Sequence, residues 1–108
     1  MKIATFEKMK VFSPEKMKKV NLFTTERLFC DLYCLEPDQF QKVHAHAGED
    51  KVYTVLEGEG RFQVGEETEI VLAGSSVLAP AGQVHGVTNI SGKRLLILVF
   101  MAPKPHHG

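Results

Sequence analysis

No charge of one sign predominates in this chain. Thirteen Lys and Arg stand against thirteen Asp and Glu, for a formal net charge of +0 over 108 residues. Such a chain lacks the surplus positive charge on which sequence-independent nucleic-acid binding rests, so no nucleic-acid partner is expected. Long apolar runs are missing as well. The longest, from Leu95 to Ala102, falls far short of the roughly 20 residues that span a bilayer. Met1 to Lys10 carries three lysines with no continuous apolar segment behind them, which does not match a secretory leader. No membrane association is expected, and the cytoplasm is the expected location. Cysteine is scarce, with only Cys30 and Cys34. On a helix the two would share a face and could share a metal. On a strand they lie about 13 Å apart, too far for a disulfide. The aromatic content from Leu28 to Leu35 and the stop at Pro37 favour the strand. The two thiols then read as small apolar residues on one face with Leu32.

What is present is an ordinary globular composition, 44% hydrophobic and 24% charged, which excludes a disordered chain. The length suits one domain with one core. The first twenty residues stand apart, with six lysines and little alternation. Ser13-Pro14-Glu15 is a helix-start pattern, with a capping hydroxyl, a proline for the first helical position and a carboxylate for the positive end. It predicts a short helix from 14 to 19, within an N-terminal segment 1–21 that packs on the rest.

From Leu22 onward the pattern is strand after strand. Expected strands are 27–35, 39–46, 51–57, 60–65, 68–72, 75–79, 84–90 and 93–101. Turn chemistry separates them at Glu36-Pro37-Asp38, Gly58-Glu59-Gly60, Gly65-Glu66-Glu67, Ala73-Gly74-Ser75, Pro80-Ala81-Gly82 and Ser91-Gly92. Short, closely spaced strands rich in β-branched and aromatic residues define an all-β sandwich or barrel over 22–103. Residues 104–108, including His106 and His107, read as a flexible tail. Strands 29–35 and 95–101 are apolar on both faces. The second face needs cover, from the N-terminal segment or from another subunit, and a homodimer is expected.

Three histidines carry the chemistry. His44 and His46 are two apart, so on a strand their imidazoles share one side, while His85 comes from a distant strand after Pro80-Ala81-Gly82. Neutral imidazole is the commonest protein ligand for iron, nickel, copper and zinc. Three such groups converging in a barrel leave coordination positions open.

The spacing around these histidines resembles the cupin superfamily, whose small barrels carry two short motifs. The second motif is complete here as Gly74, Pro80, Gly82, His85 and Asn89. The first reads His44, His46 and Gly58, with Asp38 where a glycine stands in the family and Lys51 where a glutamate stands. The resemblance spans residues 38–89. It implies a double-stranded β-helix, the cupin or jelly-roll barrel, and a metal site of three histidines. Asp38 suits the glycine position, since Asp tolerates turn conformations that most residues avoid.

Lys51 in the glutamate position leaves three readings open. In the first, His44, His46 and His85 hold a divalent ion (Fe, Mn, Ni or Zn) alone, with Lys51 turned away or hydrogen-bonded beside the site. In the second, Asp50 or Glu49 takes the missing carboxylate's place. In the third there is no metal, and Lys51 with the imidazoles contacts an anionic ligand. Tyr53 shares parity with Lys51, so Lys51, Glu49 and Tyr53 are the candidates for acid–base work. Gln83 precedes His85 in the turn. The expected function is that of a small cupin acting on or binding a small molecule, as a dioxygenase-like or isomerase-like metal enzyme or as a non-catalytic binding module.

Overall fold

The structure is a computed structural model and describes residues 1–104. Nine strands follow one short helix: α1 Phe6–Met9, β1 Lys18–Thr24, β2 Phe29–Leu35, β3 Phe40–Ala45, β4 Asp50–Glu57, β5 Glu59–Val64, β6 Glu67–Leu72, β7 Ser76–Ala79, β8 Val84–Thr88 and β9 Leu95–Ala102. They form two antiparallel sheets, one of five strands in the order β1-β2-β9-β4-β7 and one of four in the order β3-β8-β5-β6. Strands next to each other in sequence often sit in opposite sheets, which is the two-sheet wrap expected from the turn spacing.

Alternation along the strands decides what lies between the sheets. Tyr33 and Leu35 of β2, Tyr53 and Val55 of β4, and Leu95, Ile97 and Val99 of β9 project inward. They meet Phe62 of β5 and Val87 of β8 from the other sheet. Lys51 has the same parity on β4 as Tyr53 and Val55, and it is buried with them. The outward residues of β2 and β9 form a second cluster of Leu32, Cys34 and Leu96, covered by Phe6, Met9 and Phe12. The N-terminal segment therefore supplies cover for the face that is apolar on both sides. Farther along the same sheet, Leu78 and Phe100 are exposed, with Val52 as register partner to both. Cys30 and Cys34 are free and buried, as the strand reading required.

The predicted helix over 14–19 is a correction. Residues 14–16 form a bend, and Ser13 Oγ accepts the Glu15 amide at 3.2 Å in a local turn instead of capping a helix. Lys18 and Lys19 already belong to β1, opposite Cys34 and Tyr33. A one-turn helix gains one or two hydrogen bonds for a costly nucleus, whereas pairing along β2 draws six of the 7 residues of β1 into a ladder, Leu22 alone being skipped at a register shift. The lysines fit this edge position, where charge guards an open ladder. The one helix among the described residues is α1, where Phe6 and Met9 sit on the outer cluster and Lys10 pairs with Glu7 at 3.0 Å. β1 runs through position 21/22, where the sequence reading divides the N-terminal segment from the barrel. Of the tail 104–108, residues 105–108, including His106 and His107, lie outside the described residues. No helix of the described chain is long and apolar enough to cross a membrane.

The punctuation residues hold the loops around the site. Asp38 has φ 71, the left-handed conformation for which the family uses glycine. Its amide donates to the carbonyl of Asn89 at 2.9 Å. Asn89 is fully buried, donating to the carbonyls of Leu35 and Lys93 and accepting from Ser91. It therefore locks the end of β2 to the β8–β9 connection. At Gly58, φ is 81 and a Cβ would collide with the carbonyl of Arg94, so this turn accepts no side chain.

Candidate metal centre

His44 and His85 are register partners across β3 and β8, and a bulge puts both on the inner side. Between the pairs Gln41–Val87 and His44–His85, β3 inserts Lys42 and Val43 opposite the single residue Gly86. Without the extra residue, Gln41 and His44 would have opposite parity; with it, both point inward. Gly86 permits the bulge, because a Cβ there would lie 2.9 Å from the Gln41 carbonyl and 3.0 Å from Val43 Cγ2. His46 follows the end of β3. It is tied to the opposite turn where the amide of Gly82 donates to its carbonyl at 2.8 Å.

The three rings cluster, with centroids 4.5 Å apart for the tilted pair His44–His85, 4.8 Å for the edge-on pair His44–His46 and 5.5 Å for the stacked pair His46–His85. Backbone carbonyls assign their tautomers. His44 Nδ1 lies 2.7 Å from the carbonyl of Lys42, and His85 Nδ1 lies 3.1 Å from that of Gln83. A carbonyl only accepts, so each Nδ1 carries the proton and each Nε2 keeps its lone pair. His85 Nε2 is the one buried side-chain nitrogen or oxygen without a partner among the described residues. His44 Nε2 and His46 Nε2 meet at 3.1 Å. Two ring nitrogens bound to one ion at about 2.0–2.1 Å lie roughly 3 Å apart. The candidate ligand atoms of the three histidines all fall within 4.8 Å of one another. Burial holds His85 at about 4 and pushes His44 and His46 below the usual imidazole range. The rings are neutral at physiological pH, the state in which imidazole binds metal.

No carboxylate joins this cluster among the described residues. Asp50 is exposed and spends Oδ1 on the amide of Ala81 at 2.8 Å, fixing the turn before β8. Glu49 accepts from the amide of Gly48 at 3.2 Å. Lys51 lies inside the barrel with 1% of its surface exposed. Its Nζ stands over the rings of Tyr33 and Tyr53, 5.0 and 4.9 Å from their centroids. Burial lowers it to about 7, and the positive charge of Lys19 adds to that. Tyr53 lines the same interior, 6.2 Å from the His85 ring between centroids.

Sequence reasoning missed the polar frame beneath the histidines. Tyr53 donates to Gln41 Oε1 at 2.6 Å, and Gln41 Nε2 donates to the Tyr33 hydroxyl at 3.2 Å. Asp31, also buried, accepts from Asn21 Nδ2 at 3.0 Å. Burial raises both tyrosines and Asp31 above their ordinary ranges. Tyr33 was legible from its parity with Leu35. Gln41 was not, because only the bulge reconciles it with His44.

Comparison with known proteins agrees with this architecture. The family profile described as cupin domain matches residues 31–101, so the chain belongs to the cupin family. The chain is 48% identical to TT1209 of Thermus thermophilus, whose crystal structure superposes with a TM-score of 0.94 over 97% of this chain and 100% of that one. An uncharacterized protein of Streptomyces coelicolor is 37% identical over 73 residues, 68% of this chain and 69% of that protein. A conserved protein of Klebsiella pneumoniae with a double-stranded β-helix domain shares the fold, with a TM-score of 0.89 at 22% identity, covering 95% of this chain and 90% of that one.

Proposed function

We propose that the chain is a metal-dependent cupin in which His44, His46 and His85 hold one divalent ion through their Nε2 atoms, leaving positions open to a small molecule. The observation that carries this reading is the partnerless, buried Nε2 of His85, set beside the facing Nε2 atoms of His44 and His46. A buried lone pair without a donor costs about 1–3 kcal/mol, and a shared cation removes that cost at His85. Imidazole ligands suit iron, manganese, nickel and zinc.

Iron there would supply oxygen activation, and the other ions would supply polarisation of a carbonyl, as in dioxygenase-like and isomerase-like cupins. The chain's own residues do the rest. The carbonyls of Lys42 and Gln83 hold the Nδ1 protons and so fix ring orientation. The Tyr53–Gln41–Tyr33 frame keeps the floor rigid and apolar at its faces. Lys51, buried in the same interior, carries a proton that it exchanges near neutrality, and it is the group to take one from or return one to a small molecule.

Two screens test the enzymatic part. One is oxygen uptake by the iron-loaded protein with a panel of small hydroxy and carbonyl compounds. The other is solvent deuterium incorporation at carbon next to a carbonyl, with zinc or manganese. Turnover present in the wild type and absent in His85→Ala supports the reading. Full metal loading without turnover in either screen leaves a binding module.

A further inference from the structure

Lys51 is a buried amine with no ion-pair partner among the described residues. Its side chain is 1% exposed. The ion pairs among the described residues are Lys10 with Glu7 and Glu57, and Arg94 with Glu36, and none includes Lys51. The nearest acidic influence is Asp31, whose carboxylate is held by Asn21 on the neighbouring strand. Lys19, its Nζ 5.2 Å from the centroid of the Tyr33 ring, adds positive charge to the same region. Buried charges persist in proteins when they are paired, and ring faces at about 5 Å return only part of the lost hydration.

The surroundings narrow what the missing anion is. Tyr53 and Gln41 are spent on each other, but the Tyr33 hydroxyl accepts from Gln41 and keeps its own proton for a further acceptor. The donors available are one ammonium and one phenol between two aromatic faces. The three arginines, Arg27, Arg61 and Arg94, are all exposed, so the fork that holds phosphate is not part of this interior. Two donors match the two oxygens of a carboxylate.

We propose that Lys51 is the anion-binding residue of this site and that its ligand is a small carboxylic acid. The carboxylate docks on Nζ beside the Tyr33 hydroxyl, with a second oxygen on the neighbouring carbon directed toward the imidazoles. Tyr53 neighbours both groups, 4.9 Å from Nζ and 6.2 Å from the His85 ring, measured to its centroid, so Lys51 and the imidazoles face one interior. The placement of the second oxygen rests on the metal reading; the carboxylate contact does not. A bound carboxylate also holds the proton on Lys51, which burial, with the charge of Lys19, draws down to about 7.

The chain has two tyrosines and no tryptophan, so its intrinsic emission comes from the two rings that flank Lys51. Titration of metal-free and zinc-loaded full-length protein with glycolate, glycolamide and inorganic phosphate, read by tyrosine emission and by calorimetry, tests the proposal. Glycolate is expected to bind both forms, and to bind more tightly than its neutral amide and than phosphate by roughly tenfold or more. Lys51→Met is expected to lose that preference while still taking up zinc, no more weakly than the wild type. Equal affinity for glycolate and glycolamide in the wild type, tighter phosphate than glycolate, or glycolate binding unchanged in Lys51→Met overturns it. The amide comparison needs no variant, so a failure of Lys51→Met to fold leaves the test intact. Failure of zinc to bind, with the glycolate preference retained in metal-free protein, would remove the metal reading and leave Lys51's role standing.

Discussion

His44 and His85 face each other across β3 and β8 because two residues of one strand, Lys42 and Val43, are accommodated opposite a single glycine, Gly86. The bulge aims the Lys42 carbonyl at His44 Nδ1, 2.7 Å away, so one backbone irregularity sets both the direction and the tautomer of a ring.

Gly86→Ala tests that dependence. The added methyl would press on the Gln41 carbonyl and on Val43, and relief requires the bulge to move. A destabilisation of about 1–3 kcal/mol is expected, measured as a lower urea midpoint. The folded protein is also expected to bind zinc more weakly than the wild type, in competition with a chelating dye. Normal zinc affinity in a destabilised protein would show that the bulge serves the fold alone.

Lys51 makes stability depend on pH. Its folded value of about 7 lies below its ordinary value of 10.5. Between these the unfolded chain holds more protons, so stability rises with pH through that window. The burial penalty is complete below about pH 7 and gone above about pH 10.5. Lys51→Met removes it, so the variant is expected to be the more stable at pH 7. The advantage should shrink by on the order of 3 kcal/mol by pH 10. Urea unfolding of both proteins across pH 7–10 gives the difference directly, and groups common to both, including the two buried tyrosines, cancel. A constant difference would mean that Nζ is solvated in the folded state.

Lys51→Glu bears on the metal. The exchange replaces an ammonium that repels a divalent ion with a carboxylate that attracts one and offers a fourth ligand. Zinc affinity by dye competition is expected to rise by roughly tenfold or more. Unchanged affinity would place Lys51 outside the influence of the three imidazoles. The same variant should lose the preference for glycolate over glycolamide, so one substitution moves the two ligands in opposite directions.

Much of this was legible in the sequence because strands and turns announce themselves locally. The Gly and Pro punctuation located the eight strands β2–β9, and the glycine-like role of Asp38 followed from its chemistry and appears as φ 71. The three histidines could be grouped because His44 and His46 share a short stretch and His85 sits in a complete motif. What stayed hidden was non-local. Ser13-Pro14-Glu15 has the right residues for a helix start, but β2 offers residues 18–24 a ladder, and no property of residues 13–19 reveals that edge. The bulge at Lys42 and Val43 depends on a glycine more than forty positions away. Lys51 had the parity of an inward residue, yet charge argued against burial. Only the two tyrosine rings that flank it, from β2 and β4, show how the interior accommodates it.

The central claim is that three imidazoles form one metal site, and its most direct test is elemental analysis. The protein should be untagged and carry His106→Ala and His107→Ala, so that tail histidines contribute nothing. It would be measured as purified, and again after incubation with iron, manganese, nickel or zinc and desalting. The account predicts about one equivalent of metal per chain, lost when His85→Ala is added. No retained metal with any of the four ions, or an equivalent that survives His85→Ala, would contradict it.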